Sequence, residues 1–178
     1  MYWLDKILYK PKGYQHHFPY AHDVVIRREQ MLENLSKGVH MEDLNLFIEW
    51  NTPLRNLQRY VLQKLKQKSY VDDGRHVILD GLEVFLDPHR NMMNTLPFID
   101  LSSSLGFDDK GHKRYLEIHK HLTDRFGPPT DLEDFLPYDF HGVRTAIWKH
   151  RSFQVGLYVW ERFAVHFELR IEYLPNQH

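Results

Sequence analysis

Residues 162–173 read Arg-Phe-Ala-Val-His-Phe-Glu-Leu-Arg-Ile-Glu-Tyr. Phe163, Val165, Phe167, Leu169, Ile171 and Tyr173 share one parity; Ala164, His166, Glu168, Arg170 and Glu172 share the other. A period of two in β-branched and aromatic residues predicts a strand buried on one face only. It is the last readable element, so the upstream chain is expected to supply both its sheet neighbours and a cover for its apolar face.

The segments just before it supply the neighbours. Residues 143–148 and 152–159 alternate in the same way and lie within short turns of one another, which predicts a three-stranded antiparallel meander. If each strand buries one face, turn parity follows. A three-residue loop at 160–162 sets Val159 against Phe163, and another at 149–151 sets Ile147 against Phe153. The outward face then reads in rows: Arg144, Gly156 and His166; Ala146, Gln154 and Glu168; Trp148, Ser152 and Arg170. These rows describe a shallow groove with a small-residue floor. Its candidate binding residues are Arg144, Trp148, Gln154, His166, Glu168 and Arg170, several of them types enriched at protein interfaces.

Further upstream the pattern is helical. Asp23 is a candidate N-cap and Gly38 a candidate C-terminal cap for a helix with Val24, Val25, Met31, Leu32 and Leu35 on its stripe. Residues 41–50 fit either a short helix or a strand. Thr52-Pro53 starts an amphipathic helix carrying Leu54, Leu57, Val61 and Leu65, with Arg55, Arg59, Lys64, Lys66 and Lys68 elsewhere on it. Asp80-Gly81, between Val77 and Leu79 on one side and Leu82 and Val84 on the other, predicts a hairpin. A two-residue turn would pair Leu79 with Leu82 and Val77 with Val84; a single bulged strand is the alternative. After a long connection, Asp108 or Asp109 caps a helix with His112, Tyr115, His119, Leu122 and Phe126 on one stripe, stopped by Gly127-Pro128-Pro129. The expectation is an α+β fold: N-terminal helices, a β-hairpin, one further helix and the C-terminal meander, forming one sheet.

Composition bounds the rest. A chain of 178 residues suits a single domain, 1–178, opening on an irregular Pro- and Gly-bearing arm over 1–22. With 42% hydrophobic, 14% aromatic and 26% charged residues, it reads as globular rather than disordered. Lys plus Arg number 23 against 24 Asp plus Glu, which is not the basic footprint of a nucleic-acid binder. Cysteine is absent, which removes disulfide scaffolds, cysteine nucleophiles and thiolate metal sites. Asp5 and Lys6 interrupt the apolar start, so it does not read as a secretory signal, and no apolar run reaches the ~20 residues of a membrane span. A cytoplasmic protein that engages no membrane is the expectation.

Thirteen histidines invite a metal reading, but their spacing argues against it. His119 and His121 stand about 200° apart around a helix, and His112 and His119 roughly 10 Å apart along it. Ligands would have to come from elsewhere, such as Asp72, Asp73 or His76. The acid pairs Asp72-Asp73, Asp108-Asp109 and Glu133-Asp134 neighbour glycine or proline, where turns and caps use them. Phosphate-binding loops, dinucleotide fingerprints, nucleophile elbows and internal repeats are missing from the sequence.

The order over residues 109–174, a helix ending in Phe126-Gly127-Pro128-Pro129, a spacer, then Trp148 in the first strand of a meander, resembles small bacterial immunity proteins of polymorphic-toxin systems. That resemblance implies binding and blocking of a cognate toxin, and carries over no catalytic residues. The reading is a non-enzymatic module that binds another protein and needs no cofactor. A small metal-dependent hydrolase, with histidine and aspartate near the hairpin and arm, is the alternative. A homodimer through an exposed strand edge is compatible with either.

Overall fold

A computed structural model describes residues 15–50, 52, 75–85, 98–103, 109–133, 143–161 and 165–174. The expected helix after Pro53 lies outside the described residues, as do Asp72, Asp73 and Phe163. The elements are α1 (Val24–Lys37), β1 (Gly38–Met41), β2 (Leu46–Glu49), β3 (Arg75–Ile78), β4 (Leu82–Phe85), β5 (Phe98–Ser103), α2 (Asp109–Phe126), β6 (Asp131–Glu133), β7 (Thr145–Lys149), β8 (Phe153–Glu161) and β9 (Val165–Tyr173). The α+β class is as expected, but the sheet arrangement is not. Four strands follow α2, rather than three, and β5 joins them in a five-stranded antiparallel sheet of order β5-β9-β8-β7-β6. β1-β2 and β3-β4 form two separate hairpins, so the strands do not make one sheet. Both extra strands lie in stretches that read as connections. β6 is only three residues long, too short to show a period.

The long strand behaves as its alternation requires. Val155, Leu157 and Val159 of β8 pair with Ile171, Leu169 and Phe167 of β9, and all six side chains are buried. α2 covers this face with Tyr115, Ile118 and Leu122, spaced three and four apart on one stripe. The Tyr115 ring meets Phe167 edge-on at 6.0 Å between centroids. Phe126 closes the helix, followed by Gly127 at φ 86, the left-handed residue expected beyond a helix C-terminus. No described helix is long and apolar enough to cross a membrane.

Around this layer the smaller units are held by capping and turn chemistry. The Asp23 carboxylate accepts the Val25 and Ile26 amides at 2.9 and 3.0 Å, the cap read from the sequence. Val24 and Val25, however, stand in solvent, and the buried stripe of α1 is Met31, Asn34 and Leu35. Residues 41–50 resolve into a turn and β2. Val39 pairs with Ile48 facing the core, while His40 pairs with Phe47 on the other side. Trp50 fastens this hairpin, donating its indole N–H to the Leu35 carbonyl and stacking on Tyr173 at 5.8 Å.

The Asp80-Gly81 hairpin exists with a different register. Ile78 pairs with Leu82 and His76 with Val84, so the loop holds three residues, Leu79, Asp80 and Gly81, all at positive φ. The extra residue moves His76 and Ile78 to the buried face in place of Val77. Partners brought from far along the chain hold this loop. Glu42 accepts the Asp80 and Gly81 amides, Arg27 and Arg125 both reach the Asp80 carboxylate at 3.2 Å, and His121 binds the Leu79 carbonyl at 2.8 Å.

Candidate functional site

The meander register decides what the outer face of the sheet presents. Between β7 and β8 the chain turns through Arg151 and Ser152, with the His150 amide bound to the Phe153 carbonyl at 2.9 Å. That is a two-residue turn where the apolar alternation predicts three. Ala146 therefore pairs with Leu157 and Trp148 with Val155. The change of parity puts Ala146 and Trp148 on the core side. Trp148 is 4% exposed, donates its indole N–H to the Gly127 carbonyl at 2.8 Å and packs on the His119 ring. Its place as a rim residue of an outer groove is thus corrected. β7 escapes the parity rule because it is buried on both faces: Thr145 and Ile147 are inaccessible as well. Arg144 is exposed ahead of β7, and the Tyr115 hydroxyl bonds both its carbonyl and its amide.

The β8–β9 ladder keeps the expected parity, but its turn lies two residues further along, so each β8 residue meets a β9 residue four positions beyond the expected one, Val159 facing Phe167 and not Phe163. It runs to Glu161 opposite Val165, so the connection is residues 162–164 instead of 160–162. The outer rows become Gln154 with Glu172, Gly156 with Arg170, Tyr158 with Glu168 and Trp160 with His166. Gln154, His166, Glu168 and Arg170 thus share one face, while Arg144 and Trp148 do not join them. Tyr158, Trp160 and Glu172 are the members that the sequence rows left out. Their signal was present, since Tyr158 and Trp160 continue the even-numbered set of β8.

This face is not a groove with an open floor. Tyr158 lies back along its own strand across Gly156: a Cβ built on Gly156 would come within 2.6 Å of the ring Cζ and 2.8 Å of the hydroxyl. Glycine makes room for the aromatic ring. Opposite, the Arg170 guanidinium stands 4.9 Å from the centre of that ring, a cation–π distance. It is fixed there by a two-point pair with Glu168, Nε to Oε1 and Nη2 to Oε2 both at 3.1 Å, and by Glu172 at 3.7 Å. Gln154 donates to the Tyr158 hydroxyl at 3.1 Å and to the Glu172 carboxylate. Burial, then the neighbouring Glu172, pushes the Tyr158 phenol above its usual range, so the hydroxyl keeps its proton. At the loop end Trp160 and His166 stack with centroids 4.5 Å apart. The result is an ordered strip of two aromatic rings, an imidazole and a guanidinium, with Glu168 only 8% exposed beneath them.

The histidine and carboxylate chemistry lies elsewhere, between the two hairpins. His76, 3% exposed, places Nδ1 3.2 Å from Asp43 Oδ2, while the Val77 amide donates to Asp43 Oδ1 at 3.1 Å. Burial works against ionisation of Asp43, but these hydrogen bonds hold its carboxyl below the ordinary range. Its neighbour Glu42 is shifted the other way, upward, chiefly by burial. The His76–Asp43 pair has the elements of a general-base dyad, but the imidazole is closed to solvent and the pair ties β3 to the β1–β2 turn. Asp43→Ala is expected to lower stability by about 1–3 kcal/mol, because it removes the acceptor of the Val77 amide and the carboxylate beside the buried His76 ring; urea unfolding checks this. Among the described residues no three His, Asp or Glu side chains converge as a metal site requires. Nothing comparable guides the reading from outside: no protein-family model, curated protein or solved structure matches this chain.

Proposed function

We propose that the chain is a non-enzymatic protein-binding module whose contact surface is the outer face of the five-stranded sheet. One observation carries this reading: Arg170, held over Tyr158 by two carboxylates, and the Trp160–His166 stack beside it are positioned by contacts within the chain itself. Aromatic and arginine anchors dominate interface energetics, and side chains already fixed in one conformation lose little entropy on binding. The resemblance of residues 109–174 to immunity proteins supports the finer reading, that the partner is a toxin held inactive.

The test is capture of a partner from a lysate of the native organism. Trp160→Ala and Arg170→Ala should each weaken capture by more than about 2 kcal/mol, roughly thirtyfold, with circular dichroism unchanged. Gly156→Ala is the more discriminating variant. It removes no contacting group but forces Tyr158 off its seat, so capture should fall while the β8–β9 ladder persists. Retained capture in all three variants would move the site off this face. The toxin reading adds a demand of its own, that the captured protein arrest growth when expressed without this chain.

A further inference from the structure

We propose that residues 15–20 form an acid-released strap, closed over the second face of the β1–β2 hairpin while His16 and His40 are neutral and let go when they take up protons. The hairpin turns Val39, Met41 and Ile48 to the core, which leaves His40 and Phe47 facing away from it. The strap covers that side. The His16 ring stacks on Phe47 at 5.2 Å and lies against His40 at 4.4 Å, and Phe18 meets His40 edge-on at 4.4 Å. Two amide side chains of α1 hold the backbone of the strap and of Ala21, which follows it. Asn34 accepts the His17 amide and donates to the His17 carbonyl, both at 2.9 Å, and Gln30 accepts the Ala21 amide at 2.8 Å.

The weak point of this closure is His40. It is 3% exposed; its Nε2 lies 3.3 Å from Asn45 Oδ1, and its Nδ1 has no hydrogen-bonding partner among the described residues. A neutral ring suits this site, with Nε2 donating and Nδ1 bare. A protonated ring would carry a second N–H with no acceptor, in contact with another imidazole. Each element facing the pair contributes known groups. The strap brings His16 and His17, and the β1–β2 turn brings Asn45 and Asp43, the latter already engaged by His76 and the Val77 amide. From α1, the Glu33 carboxylate lies 3.0 Å from His17 Nε2. Burial, then the adjacent His16, pushes His40 down to about 4, and burial also lowers His16.

A base whose pKa is lower when closed than when open favours closure fully above its open-state value. That contribution fades as pH falls from about 6.5 towards about 4. Between pH 7 and pH 5 the closed-to-open ratio should drop about twentyfold from His40 alone. The experiment is amide hydrogen exchange by NMR at these two pH values, corrected for the intrinsic pH dependence of exchange. Protection of the His17 and Ala21 amides should fall by about that factor, while Val155 and Leu157 in the central strand stay protected. In His40→Phe, which keeps an aromatic ring and removes the proton site, the drop should shrink to the part owed to His16. An equal drop in variant and wild type, or none in wild type, overturns the proposal. If His40→Phe does not fold, the wild-type imidazole decides: a His40 NMR titration midpoint at or above 6.5 is incompatible with a neutral clamp.

Discussion

Trp148→Ala should destabilise the protein by roughly 3–5 kcal/mol, the range for removing a large buried aromatic side chain where neighbours cannot close the gap. Two features place it at the upper end. The ring lies between α2 and the sheet, beside His119 and on the core face with Val155, and both elements are fixed by other contacts. The indole N–H also satisfies the Gly127 carbonyl at the helix stop, which alanine would leave bare. Trp148→Phe separates the two effects, since it keeps most of the apolar volume and loses the hydrogen bond; it should cost about 1–3 kcal/mol. Guanidinium unfolding measures both. An alanine variant as stable as wild type would return Trp148 to the outer face and restore the parity read from the alternation.

Gly38→Ala should be comparably severe, on the order of 3 kcal/mol or more, because the obstruction is main chain and cannot turn aside. Gly38 ends α1 and opens β1 opposite Glu49, where the two backbones approach closely. Its φ of 171° is ordinary extended backbone, so conformational strain is not the issue. A Cβ there would overlap the Ile48 carbonyl oxygen and lie 2.8 Å from both the Ile48 carbonyl carbon and Glu49 Cα. Thermal unfolding should show a loss of many degrees, together with loss of the contacts that Trp50 makes to Leu35 and Tyr173. Gly156→Ala, where the obstruction is the movable Tyr158 ring, should cost far less. The contrast between the two glycines tests the close approach directly.

The α+β class, the Asp23 cap, the helix stop at Gly127, the existence of the hairpin and the face of β9 that is buried were all legible in the linear chain. Each depends on a local pattern: a side-chain period, a capping oxygen or a glycine where left-handed backbone is needed. What was missed shares one physical origin. Alternation reports a face only where the other face meets water, and β7, buried on both sides, has no such contrast; the parity of its turn was therefore open, and Trp148 went to the wrong side. Asp80-Gly81 announces its own positive φ, but Leu79 adopts it with no local signal, where Glu42, Arg27, Arg125 and His121 hold the loop from elsewhere in the chain. Most of the outer-face residues are named by the sequence, but their chemistry is not, since a ladder whose register shifts by four residues looks the same in periodicity. Local residue pattern suffices for the buried face of β9, the cap at Asp23 and the turns at Asp80-Gly81 and Gly127. Tyr158 filling the space left by Gly156 under Arg170, and His40 enclosed between His16 and Phe18, follow from no local pattern, because both arrangements depend on register and on contacts between distant segments.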